Sequence, residues 1–164
     1  MSGKKIFLLF CALVLPIGIF IFLKFFGKNE FAVKPLFVDE APVGAADCAP
    51  VSLPYHVPDS ILQNIIRIND SLAIVYFESA QPAAGAKAQL ERITVEFAND
   101  PLNIIELAPS AEQERKKKCV FFLSGINDLV LVDQKGLIRG HYTANDREEV
   151  DRLNTEISII LKKY

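Results

Sequence analysis

Leu129-Val130-Leu131-Val132-Asp133-Gln134-Lys135-Gly136-Leu137-Ile138-Arg139-Gly140-His141-Tyr142 is the stretch whose reading decides the fold of this chain. Its first four residues are Leu and Val only, a run too short for a helix and suited to a buried strand. Asp133-Gln134-Lys135-Gly136 then punctuates it as a tight turn, and the residues from Leu137 on return as a second strand. Beyond the hairpin, Asn145-Asp146-Arg147-Glu148 predicts a helix start, with an Asn cap and a Glu three residues later. Val150, Leu153, Ile157 and Ile160/Leu161 follow at spacings of three and four, so one apolar stripe faces a core.

Working back towards the amino terminus, Val120-Phe121-Phe122-Leu123 predicts a strand ended by Ser124-Gly125. Pro109 to Lys118 predicts a short helix. Ser110 and Gln113 have capping-box spacing, acids occupy its first turn and bases its last, as the helix dipole favours. Read alone, Arg115-Lys116-Lys117-Lys118 suggests nucleic acid or lipid, but a solvated helix end accounts for it. Asn103 to Leu107 predicts a strand and Ala83 to Ala98 a helix, striped by Ala86, Leu90, Ile93 and Phe97 and stopped at Asn99-Asp100-Pro101. Leu72 to Phe77 predicts a strand buried on both faces. Strand, helix and strand of these lengths make a βαβ unit with a parallel pair. Ser60 to Arg67 reads equally as a helical turn or a strand.

The first 58 residues are different in kind. Lys4 and Lys5 precede an unbroken apolar run from Ile6 to Leu23, about 27 Å of helix. Residues 1–28 are therefore expected to form a membrane anchor contacting the bilayer through residues 6–23. A cleaved signal peptide is the competing reading, although no small-residue cleavage site follows the run. Residues 29–58 carry Pro35, Pro42, Pro50, Pro54 and Pro58 and no periodicity, so they form a connector that is either a tether or packed along the domain. Residues 59–164 are the expected folded domain. Setting aside residues 1–28 leaves 14 basic and 20 acidic residues, a net charge of −6, which argues against a nucleic-acid partner.

The words LVLVDQKGLIRGHYTANDREEVDRL resemble the carboxy-terminal segment of the Sco/SenC copper chaperones, which reads like LVDxxGxIRGxYxGxDxxEVxxL. Asp133, Gly136, Arg139, Gly140 and Tyr142 fall on that structural motif. Phe31 to Phe37 and Pro54-Tyr55-His56-Val57-Pro58-Asp59 resemble segments of the relatives found in Bacteroidetes-type bacteria. The resemblance implies an α/β, thioredoxin-like domain with a shortened Sco/SenC-type core. It also implies placement outside the cytoplasm, in the periplasm, as a single-pass cell-membrane protein.

Relatives of this type hold copper with two cysteines where the first core strand enters the first helix, and with one histidine just before the LVD strand. Here Gln81 and Gly85 occupy the two cysteine positions, and Ser124-Gly125-Ile126-Asn127-Asp128 leaves no room for the histidine loop. The expectation is a chain with no copper ligands, no cofactor and no catalytic residues, a pseudo-copper chaperone that acts by contact with a protein partner. The resemblance places that contact in cytochrome oxidase or copper-site assembly. Cys48 and Cys119 remain as a possible disulfide, and the alternative is a thiol-disulfide redox protein using them. A further alternative is an exported domain serving an unrelated partner. Cys11 lies in the apolar run, His56 reads as a turn residue, and His141 reads as a packing residue.

Overall fold

The computed structural model describes residues 3–26, 32–42, 48–80 and 85–162, without the side chains of 6–9, 11, 23, 25 and 26. Two compact units are present, Met1–Ala32 and Val33–Tyr164. The first contains one helix, α1 (Gly3–Phe26), with Lys24 in its last turn and Pro16 inside it. The membrane anchor expected over residues 1–28 is corrected by this element. Among the described residues, no helix is long and apolar enough to cross a membrane. The apolar run between Lys5 and Lys24 is 18 residues, at the short end of what crosses a bilayer. Pro16 also removes one backbone hydrogen bond from its middle.

The second unit is a mixed α/β body built on a four-stranded sheet. Its elements are α2 (Asp59–Ile65), β1 (Leu72–Phe77), α3 (Ala86–Glu96), β2 (Leu102–Leu107), α4 (Ala111–Cys119), β3 (Leu129–Asp133), β4 (Ile138–Tyr142) and α5 (Arg147–Ile160). The strand order is β2-β1-β3-β4. β1 and β2 run parallel, while β3 is antiparallel to both β1 and β4. The βαβ unit and the hairpin read from the sequence are both present.

Every residue of β1 and β3 is buried, so both strands need cover on two faces. One face is covered by α3 and α5: Leu72, Ile74, Leu129 and Leu131 pack with Leu90, Ile93, Val150, Leu153 and Ile157. Tyr142 closes this layer, its hydroxyl donating to Glu156 at 2.6 Å beneath the Arg152 guanidinium. The opposite face is covered by a segment with little regular structure. Ala73, Val75, Val130, Val132 and Ile138 pack there against Tyr55, Val57, Ile65, Phe121 and Phe122, with Leu36 and Phe37 alongside.

From Val33 on, the expected connector is thus part of the folded body rather than a tether between bodies. Apolar side chains placed irregularly can still cover a sheet face, because burial is non-directional and follows apolar area. Its backbone polar groups find partners on the hairpin and on itself. Leu36 N–H donates to Ile138 O at 2.8 Å, Val57 N–H to Gly136 O at 2.8 Å and Tyr55 N–H to Phe37 O at 2.9 Å.

Several boundaries differ from the sequence reading. Val120–Leu123 is not a strand. The Phe121 and Leu123 N–H groups turn back to Lys116 O and Lys117 O, and Phe122 sits at φ 51°, which a ladder strand cannot adopt. The apolar run is buried all the same, as the floor of the second core layer. The helix expected from Ala83 begins at Ala86, and residues 81–84 lie outside the described residues. Asp146, not Asn145, caps α5, its carboxylate accepting from Glu148 N–H and Glu149 N–H. An anionic cap complements the dipole as well as the orphan donors.

Candidate functional site

The hairpin turn is held by Asp133. Its Oδ1 accepts from Lys135 N–H and Leu137 N–H, both at 2.9 Å, and its Oδ2 accepts from Arg139 Nε at 2.9 Å and Nη2 at 2.6 Å. Asp133 is 5% exposed, so one buried carboxylate satisfies both a turn and a guanidinium. Arg139 spends its remaining nitrogen, Nη1, on Val33 O at 2.8 Å. Gly136 closes the turn at φ 78°, with its N–H donating to Asp133 O, and its backbone lies against Val57. A side chain at Gly140 would run into the Tyr142 phenol. Of the five residues expected as a structural motif, Asp133, Gly136 and Arg139 shape the turn and dock the covering segment on it, whereas Gly140 leaves room for Tyr142, which bonds to α5 on the other face.

Gly85 is the N-cap of α3 at φ 110°, with open space where a side chain would be. It supplies no ligand atom and no nucleophile. Gln81 lies outside the described residues. Around this end of β1 the charge is negative. Burial first, then Asp128, Glu78 and Glu106, push the Tyr76 phenol above its ordinary range. Asp128 is itself raised by burial, against hydrogen bonding from Ala144 N–H and the field of Lys117. The short loop before β3 is a turn, with Asn127 N–H donating to Ser124 O and Gly125 at φ 62°. Asp128 N–H then joins Tyr142 O and Asp128 O accepts from Phe77 N–H, so the loop is stitched directly to β4 and β1.

Cys48 and Cys119 form a disulfide, with Cα atoms 5.3 Å apart and a separation of 71 positions in sequence. The bond joins the covering segment to the last turn of α4. Ser110 caps the other end of that helix, accepting from Gln113 N–H. The capping box is only half made, since Gln113 Oε1 is buried without a partner. Beside the disulfide lies an open cleft of about 450 Å³, lined among others by Tyr55, His56, Glu112, Arg115 and Lys116. Tyr55 donates to Val120 O, and burial pushes its phenol up to about 12. Lys116 pairs with Glu112 at 2.6 Å, and His56 Nδ1 lies 3.0 Å from Pro54 O at the surface.

His141 packs near Phe37, ring centroids 5.9 Å apart, and its Nε2 is buried without a partner. Burial holds its pKa below the ordinary histidine value, and a hydrogen bond to the Phe121 backbone works the other way. His56 is thus exposed at the surface, whereas His141 is half-buried against the covering segment. Among the described residues, no group of three or more His, Cys, Asp or Glu could hold a metal ion. Sequence reading missed the cleft, because its walls come from the aperiodic segment and from α4, which share no motif. Comparison with protein-family models and with curated proteins yields no match for this chain.

Proposed function

We propose that the body from Val33 onward is an exported domain of the Sco/SenC type that works by protein contact, in cytochrome oxidase or copper-site assembly. The observation that carries the reading is the hairpin. Asp133, Arg139 and Tyr142 make hydrogen bonds and Gly136 and Gly140 sit where a side chain would be crowded, while Gly85 stands donorless at a position where the resemblance expects a thiol. The order of elements, a βαβ unit and then a hairpin feeding an amphipathic helix, supports the thioredoxin-like part of the resemblance. The disulfide supports an oxidising compartment, since such bonds persist there.

The redox reading of the same cysteines is the second candidate, favoured by their half-exposed bond beside a cleft. Against it, Cys119 sits in the last turn of α4, where the dipole disfavours a thiolate. Lys116, Lys117 and Lys118 offset that in part. Complementation decides between the two. Deleting the gene should lower cytochrome oxidase activity, and a Cys48→Ala/Cys119→Ala chain grown at low temperature should restore it. Restoration by the native chain alone, at equal protein level, would favour redox chemistry. No change on deletion would remove oxidase assembly from the reading.

A further inference from the structure

We propose that the outer edge of β2 is a strand-addition site for an extended, basic segment of a partner protein. The inference deepens the contact reading by naming the surface and the chemistry that would fit it.

The ladder itself defines the edge. Leu72 N–H bonds Pro101 O at 3.1 Å and Glu78 N–H bonds Leu107 O at 2.9 Å, so the odd-numbered residues of β2 face β1. The N–H and C=O groups of Leu102, Ile104 and Glu106 therefore point away from the sheet. Leu102 N–H is taken locally by Asp100 O at 2.7 Å. Among the described residues, no backbone bond is made on the outer side of Ile104 or Glu106.

The two edges of the sheet are treated differently. At β4, Ile138 O accepts from Leu36 N–H and His141 O accepts from Arg152, so that edge is covered. β2 reads Leu-Asn-Ile-Ile-Glu-Leu, with no Lys, no Pro and no bulge to blunt it. Five of its six residues are half-buried, whereas all six of β1 are buried. An added strand would bury the remaining apolar flanks of Leu102, Ile104, Ile105 and Leu107 while satisfying the open ladder.

Charge selects the occupant. Glu106 is exposed on the edge strand, Glu78 is bonded to its neighbour Leu107, and neither has an ion-pair partner among the described residues. A second copy pairing antiparallel would set Ile104 against Ile104 and Glu106 against Leu102, leaving both carboxylates uncompensated in an already acidic body. An apolar strand bearing Lys or Arg opposite Glu106 makes the missing pair.

The test measures fluorescence anisotropy of a labelled Lys-Val-Lys-Val-Lys-Val peptide with the full chain at low salt. An otherwise identical Glu-Val-Glu-Val-Glu-Val peptide and a Lys peptide N-methylated at alternate residues serve as probes of charge and of the ladder. The Lys peptide should bind saturably, roughly fivefold or more tighter than the Glu peptide. N-methylation should abolish binding, since it keeps the charge and removes the ladder donors. Glu106→Lys should reverse the order of the two peptides. Glu106→Pro, which removes both the outward N–H and the carboxylate, should weaken the Lys peptide and erase its advantage over the Glu peptide.

Equal binding of the N-methylated peptide would mean mere charge attraction and overturn the proposal. So would a preference that Glu106→Lys does not move. A concentration-dependent dimer in sedimentation, lost in Glu106→Pro, would assign the edge to a second copy instead. These readouts are independent of oxidase activity, so either reading can fail without the other.

Discussion

Asp133 joins the turn, Arg139 and, through Arg139, the covering segment, so its loss should exceed that of an ordinary surface ion pair. Asp133→Ala leaves the guanidinium four-fifths buried without its carboxylate and strips two turn N–H groups of their acceptor. A cost of about 3 kcal/mol is expected in urea unfolding. Gln134→Ala, next door and exposed, should stay within about 0.5 kcal/mol. Equal tolerance at both positions would show that the turn is not held as described.

His141 makes a separate prediction, in pH. Its folded pKa is lowered, so the unfolded chain binds the proton more readily and stability falls as pH drops below the unfolded value of about 6.5. Asp128 acts with the opposite sign. Its folded pKa is raised, so its contribution is greatest in acid and declines as pH rises through the carboxylate range. Because the two oppose, the comparison that isolates His141 is His141→Phe against the native chain. The variant should lose less stability between pH 7 and pH 5. An identical pH profile would mean that the imidazole is not held neutral by burial.

Among the elements, the disulfide and the covering segment form one mechanical unit. Closing a loop of 71 residues is worth about 4 kcal/mol in chain entropy. Cys48→Ala/Cys119→Ala should lower the unfolding free energy by about that amount and expose the segment from Val33 to Pro58 to limited proteolysis before the sheet. Cleavage in the sheet first would contradict the layer order.

The same elements show what could be read in advance. Continuous apolar runs at 72–77 and 129–132 announced strands buried on both faces, because such runs leave no polar side to face water. What covers the second face was not legible. Val51, Tyr55, Val57, Ile61 and Ile65 bury together at uneven spacings, and without one period running through them no single face could be assigned in advance. Val120–Leu123 was misread for a related reason. A short apolar run looks alike in a strand and in a buried loop, and here the positive φ of Phe122 and the N–H groups turned back to α4 make it a loop. The site-level reading fared unevenly. The Ser110 cap could be placed from spacing, and the hairpin residues were singled out only by resemblance, but the cleft beside the disulfide joins residues 48–58 to residues 112–120, a meeting that no spacing encodes.

At the scale of the whole molecule, the prediction concerns metal. Cu(I) sites rest on soft thiolate ligands, and both cysteines of the second unit are joined to each other. One equivalent of Cu(I), presented to the disulfide-bonded chain against a competing chelator, is expected to stay with the chelator. Stoichiometric transfer to the protein would overturn that expectation and reopen metal handling as its work. Gly85→Cys would not simply repair the position, since φ 110° strains any L side chain.

The docking of the covering segment on the hairpin also sets an order in time. Val33 meets Arg139 across 106 residues of chain, and Leu36 meets Ile138. During synthesis from the amino end, residues 33–37 emerge early and have no surface to occupy until the hairpin has followed. Contacts of such sequence separation slow folding, because the loop must close before they can reward it. The body is therefore completed from its two ends at once and late. Until residues 129–142 have appeared, its earliest segment remains available to chaperones and proteases.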